Sequence, residues 1–344
     1  MKRIQSIDIL RGATVALMVL VNNPGSWACV WPPLRHAAWN GLTLADLVFP
    51  LFLFVMGVSM YFSFRKSGYR LSWKVLKRAL LLVGIGLLLN WIGGMVWSHS
   101  ASLTELRWTG VLQRFGLCFG IGAVMVCTLP HKALPWVSAF ILALYAGILL
   151  LGNGYAYSAD NILSRADRFL LPEAHLYLDN GVDPEGILST LSCIAHTLIG
   201  FLVGKLLADK NARKTLLTGA ALLGIGLLIS LWLPLNKKVW SPTFVLVLCG
   251  IGTLLLCALY YLTDEKHIWK HTGFFMAFGT NAIFCYVMGH VVAWILDGSG
   301  AHRWFAQTYA STSVWLSFAY AVFCVLLVWL SVRPLQRRGL FIKL

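Results

Sequence analysis

Ten separate stretches of this chain are apolar for roughly the length that crosses a bilayer, and that repetition restricts the fold more than any single motif does. A hydrocarbon core of about 30 Å takes around 20 apolar residues per helix. The runs lie near 9–21, 44–64, 79–97, 110–129, 134–151, 187–207, 216–233, 243–262, 274–296 and 314–332. Backbone groups in lipid must bond within their own segment, so an all-α polytopic membrane bundle of about ten transmembrane helices is predicted. Only 12% of the 344 residues are charged and 58% are hydrophobic, whereas soluble domains carry about 25% charge. No internal repeat, low-complexity tract or heptad run divides the chain, which predicts one membrane domain over 1–344. Lys2 and Arg3 precede an apolar stretch, as in a secretion signal. Asp8 and Arg11 interrupt the transition and no small-x-small cleavage site follows, so the first helix is expected to be retained.

The formal charge of +15 would point to nucleic acid in a soluble protein. Its distribution gives a different explanation. With the N-terminus in the cytoplasm, nineteen Lys and Arg fall in inner segments and seven in outer ones, Arg35, Arg107, Arg165, Arg168, Lys237, Lys238 and Arg303. That asymmetry predicts an N-in, C-in protein of a cytoplasmic (inner) membrane, with lipid rather than nucleic acid as its surroundings. Eight acidic residues lie outside, and the longest external segment, 152–186, carries most of them, a surface suited to a cationic group. Seven of the eight cysteines sit in apolar runs and no CxxC occurs, so they are expected to be small buried hydrophobes rather than a disulfide framework.

Polar residues at membrane depth cost about 2.5 kcal/mol or more each, so each needs a partner or a purpose. The densest group opens the chain: Asp8, Arg11, Asn22, Asn23, His36, Asn40 and Asp46. Asp8 and Arg11, three apart on one helix face, either neutralise each other at the inner interface or serve a site. Pro24 and the Pro32-Pro33 pair forbid a regular helix, so the connection after the first span is expected to be a re-entrant or lid-like element. His36 ends it, and imidazole suits proton transfer near neutral pH. A lone interfacial His also serves as a structural hydrogen-bonder; Asn22, Asn40 and Asp46 make it a catalytic candidate by their company. Arg114, His196, Asn281 and His290 lie in later spans, where interhelical hydrogen bonding is the competing role. Asn281 and His290 are nine apart and face different sides unless their helix bends. No HExxH, paired-cysteine or GxSxG pattern occurs, so neither a metal site nor a serine hydrolase is expected.

These polar residues sit inside recognisable motifs: SIDILRG at 6–12, VNNPG at 21–25, HAAWNGLTLADLVFP at 36–50, GVLQR at 110–114, DPEG at 183–186, NKKVWS at 236–241 and GTNAIF at 279–284. Together they resemble the heparan-α-glucosaminide N-acetyltransferase family and its bacterial NagX-type relatives. The resemblance implies transfer of acetyl from cytoplasmic acetyl-CoA, as co-substrate, to the amine of a glucosamine-type sugar on the outer side, and it suggests a homodimer. The family's active-site His falls on His36 and its first-helix Asn on Asn22. Bacterial relatives are linked to N-acetylglucosamine uptake, which makes an amino-sugar permease without catalysis the alternative. The chemistry available to the residues agrees: His36 as general base or transient acetyl carrier, with Asn22 or Asn40 donating to a developing oxyanion. Asp183 and Glu185, together with Arg114, Asn281 and His290, are candidate substrate contacts. Arg11, Lys77, Arg78 and Lys205, near inner helix ends, are candidates for the CoA phosphates.

Overall fold

The computed structural model describes residues 4–342. Thirteen helices are formed among them: α1 Gln5–Asn22, α2 Val48–Lys66, α3 Trp73–Trp97, α4 Val111–Thr128, α5 Leu134–Leu151, α6 Ile162–Leu170, α7 Ile187–Ala208, α8 Ala212–Ile229, α9 Pro242–Leu259, α10 Gly273–Thr280, α11 Ala282–Gly298, α12 Ala301–Phe305 and α13 Val314–Arg337. Nine described helices are long and apolar enough to cross a membrane, or ten if the bent pair of α10 and α11 counts as one span. The protein is a polytopic helical membrane bundle. Its centre is α7 and α2, with 78% and 67% of their apolar windows buried, while α8 and α3 bury only 17% and 22% and face outward.

The central helices approach through glycine, as expected where apolar burial alone supplies little drive between helices in lipid. A Cβ at Gly57 of α2 would fall 2.2 Å from the Thr197 carbonyl oxygen of α7. On α1 and α10 the approach is closer still: a Cβ at Gly279 would lie 1.8 Å from Asp8 O, and one at Gly12 1.9 Å from Phe275 O.

The ninth predicted span is not one rod. It breaks at Asn281, where α10 and α11 meet at 91°. Asn281 leaves helical geometry at φ −126° and ψ 43°. Its buried amide is used by the C-terminal tail instead: Ile342 N donates to Oδ1 at 2.8 Å, and Nδ2 donates to Leu340 O at 3.3 Å. At the same end of the bundle the amides of Gln5 and Ser6 donate to the Asp264 carboxylate at 2.8 and 2.9 Å. The terminal segments therefore share one face, the terminal face. The opposite loop face carries residues 23–47, 98–110, 152–186, 230–241 and 299–313. There the 23–47 segment makes 3-10 turns at Trp27–Cys29, Pro32–Leu34 and Ala45–Leu47, and Val30 and Leu34 pack on Val21 and Val48.

Substituting Gly279 by Ala should force α1 and α10 apart, costing about 1–3 kcal/mol and lowering the thermal midpoint of the detergent-solubilised protein. Gly84→Ala, which meets nothing within 4 Å, should leave the midpoint unchanged in the same melt.

Candidate functional site

Asp46, 1% exposed, sits at the head of α2 where the 23–47 segment re-enters the bundle. Its Oδ2 accepts from Ala37 N, Thr43 N and Thr43 Oγ1 at 3.1, 3.1 and 2.9 Å, which ties down the segment that carries His36. Its Oδ1 lies 2.8 Å from His36 Nδ1 and 3.4 Å from Lys237 Nζ. A carboxylate only accepts hydrogen bonds, so the His36 proton sits on Nδ1 and the lone pair on Nε2. The Lys237 ammonium, 3.1 Å from the same Nδ1, is thereby a second donor to Asp46.

Lys237 arrives on a turn locked to the His36 segment. Gly41 N donates to Leu235 O at 2.8 Å and Asn236 Nδ2 to Asn40 Oδ1 at 3.0 Å. Asn40 thus stands as a latch between the two segments. Burial pushes the Lys237 ammonium below its ordinary value, although Asp46 and Glu185 pull the other way. Burial alone would raise Glu185; the cations Arg107, Arg114 and Lys237 outweigh it and hold the carboxylate below its usual range. Arg107 bridges Glu185 at 2.6 Å and Asp183 at 3.2 Å. Asp183 also accepts from Thr109 Oγ1 at 2.5 Å and from the Tyr177 and Glu185 amides, so it organises the external segment. Arg114, 1% exposed, donates to Gly186 O at 2.7 Å and Ser189 Oγ at 2.5 Å and lies 5.5 Å from the Trp240 ring centre.

His36, Asn22, Glu185, Lys237 and Tyr286 line one chamber of about 190 Å³ open to the loop face. A larger chamber of about 430 Å³ lies toward the terminal face, with Arg11, Arg78, Ser59 and Thr280 in its wall. The chambers share Phe52 and Phe115, whose rings meet edge to face at 4.8 Å. Arg11 bonds Asp8 Oδ1 at 3.0 Å, Gly279 O at 3.1 Å and Ser59 Oγ at 2.6 Å. Arg78 lies over the Phe119 ring at 4.6 Å, with its buried Nε unmatched by any hydrogen-bond acceptor among the described residues. These two guanidinium groups suit a phosphate-bearing ligand.

The sequence candidates thus separate. His36, Asn22, Asp46 and Glu185 gather at the loop-face chamber, and Arg11 and Arg78 at the terminal-face one. Lys77 is exposed on α3 and Lys205 is part-buried on α7; neither lines either chamber. Asn281 holds the tail, and His290, whose Nδ1 donates to Tyr286 O at 3.1 Å, faces a third cavity. Lys237, Arg107 and Tyr286 were not singled out from sequence. The NKKVWS motif was the available signal for Lys237. His267 and His271 stand four apart, but that segment is not helical. Among the described residues no group of three His, Cys, Asp or Glu is arranged to hold a metal, and all eight cysteines are free.

The fold and its two chambers, one on each side of the Phe52–Phe115 wall, define a polytopic membrane protein with cavities in its core. Residues 3–163 match the model of the catalytic region of heparan-alpha-glucosaminide N-acetyltransferase. Proteins of human and mouse named heparan-alpha-glucosaminide N-acetyltransferase are 30% and 29% identical over 408 aligned positions that cover 95% of this chain. The chain spans 60% of the length of these relatives.

Behind the chamber, Asp167 Oδ1 accepts from the first α7 amides, Ile187 N at 2.8 Å and Leu188 N at 3.2 Å. Its Oδ2 has no partner among the described residues and abuts Gly186, where a Cβ would fall 1.7 Å away. Burial pushes this carboxyl up to about 6 against the pull of the two amides. The folded state therefore holds the proton more tightly than the unfolded chain, whose Asp titrates near 3.8. The carboxyl's contribution is complete below about pH 4 and is lost as pH rises through about 6, some 3 kcal/mol in all. Thermal melts should show wild type losing stability relative to Asp167→Asn between pH 4.5 and 7; a constant difference would contradict the assignment.

Proposed function

We propose that the protein transfers acetyl from acetyl-CoA to the amine of a glucosamine-type sugar, with the CoA phosphates at Arg11 and Arg78 and the reacting amine at His36. The observation that carries this reading is the shared Phe52–Phe115 wall, which brings an arginine-lined chamber and a His–Asp–Lys chamber to one junction from opposite ends of the bundle. The larger chamber suits the larger substrate. The excess of Lys and Arg in segments at the terminal face supports that face as cytoplasmic, so the acceptor enters from outside, in an inner membrane.

In direct transfer the amine nitrogen attacks the thioester carbonyl, the C–S bond breaks, and the amine proton passes to His36 Nε2 and on to the departing thiolate. Asp46 holds the ring and steadies the imidazolium that forms. Asn22, which lines the chamber with His36, and Lys237 supply donors for the oxyanion. Glu185 opposes Lys237 across the chamber and attracts the sugar's cationic form. In the covalent variant the Nε2 lone pair attacks the thioester carbonyl first and the C–S bond breaks with CoA thiolate leaving; the amine then attacks the acetyl-imidazole, whose C–N bond breaks to return the imidazole.

His36→Ala should abolish acceptor-dependent release of free thiol from acetyl-CoA by the purified protein. Asp46→Asn should lower kcat by about 10²–10⁴, because the amide can present its NH2 to Nδ1 and favour the wrong tautomer. Arg78→Ala should raise KM for acetyl-CoA by about tenfold. Full thiol release by His36→Ala would refute the reading, and counterflow of labelled sugar in proteoliposomes without acetyl-CoA would favour a permease. Labelled acetyl on His36 in the absence of acceptor would select the covalent route.

A further inference from the structure

The loop-face chamber has a side room. A cavity of about 230 Å³ adjoins it through a shared wall of Met18 and Asn22, with Trp27, Trp97, Gly289 and His290 around the rest. Ligand sites commonly occupy about 300–1,000 Å³. The His36 chamber, at about 190 Å³, falls below that range, and the two together reach it.

The walls have a definite chemistry. Trp27 and Trp97 are 63% and 57% exposed, so two indole faces lie open at this mouth. Trp97 is held in place: its Nε1 donates to Asp297 Oδ2 at 2.9 Å and its ring packs edge-on to Trp294 at 6.4 Å. Polar groups converge on the same space. His290 spends its Nδ1 proton on Tyr286 O, leaving Nε2 as an acceptor. Among the described residues no hydrogen bond occupies the Asn22 side-chain amide, which borders both rooms. Asn23 gives its Nδ2 to Val19 O at 2.7 Å, so its Oδ1 remains to accept. Among the described residues no Lys or Arg lines the cavity. Flat aromatic faces with scattered amide and imidazole groups suit the C–H face and hydroxyls of a pyranose ring; the absence of fixed cations leaves an anionic ring without a partner.

Resting on the acetyl-transfer reading above, we infer that this side room is a second saccharide subsite, which takes the uncharged sugar linked to the amino sugar reacting at His36. The acceptor class is then an oligosaccharide ending in glucosamine and continuing in a neutral residue, with Asn22 at the junction of the two rings. A sulfated or uronate-bearing neighbour gains nothing from this cavity.

The test uses the full chain in detergent with two acceptors: glucosamine, and a disaccharide of glucosamine linked to N-acetylglucosamine. The inference predicts kcat/KM about tenfold higher for the disaccharide, and a collapse of that ratio toward one in Trp97→Ala and in Trp27→Ala. Trp31→Ala, an exposed loop-face indole outside the cavity, should keep the ratio, which separates a sugar platform from membrane anchoring. Equal kcat/KM for the two acceptors in wild type, or an unchanged ratio in both cavity variants, overturns it. A binding readout stands apart from turnover. In saturation-transfer NMR, protons of the second ring should receive saturation in wild type and lose most of it in Trp97→Ala. Second-ring saturation without thiol release would leave the subsite and sink the transferase reading; thiol release with first-ring saturation alone would do the reverse.

Discussion

The carboxylate of Asp46 is a charge in a place that tolerates none unpaired. At 1% exposure it is held by two backbone amides, a threonine hydroxyl, an imidazole and an ammonium. Removing partners from such a buried charge typically costs about 3–5 kcal/mol, so the segments that carry them are constrained together. The 23–47 segment cannot lift from the bundle without losing Ala37, Thr43 and His36. The turn carrying Lys237 is bound to the same place. One requirement, satisfying a buried anion, therefore shapes the loop-face chamber and fixes the His36 tautomer on which its chemistry depends.

The second constraint is glycine. The 91° break at Asn281 and the contact of α10 with α1 through Gly12 and Gly279 bring a carbonyl of α10 to Arg11. Arg11 is thereby set in the wall of the terminal-face chamber. Arg78 comes from α3, a peripheral helix, and its guanidinium lies over the Phe119 ring of α4. Phe52 and Phe115, from α2 and α4, close the space between the two chambers. The two chambers are thus built by the same close helix contacts that stabilise the bundle.

The helices were legible because lipid leaves the backbone no alternative, and nine of the ten spans follow from run length alone. The break in the remaining span was not, since 274–296 is apolar except at Thr280, Asn281 and His290. What bends it is a tertiary bond between the Asn281 amide and a tail some sixty residues away. In the site, His36 and Asp46 could be paired from sequence because they share one short segment. Lys237 lies about 200 residues from its partners, and a basic residue in a loop-face turn carries no local sign of a buried acid. Lys77 and Lys205 show the converse: proximity to an inner helix end does not determine which side of the helix a residue occupies.

The central claim is that one passage joins substrates supplied from opposite faces of the membrane, with the reaction at His36. Proteoliposomes with glucosamine sealed on the loop-face side and acetyl-CoA added only on the terminal-face side test it most directly. The account predicts N-acetylated sugar accumulating in the compartment of the amine while free thiol appears in the other, both lost in His36→Ala. Product that forms only when the two substrates share a compartment would contradict it.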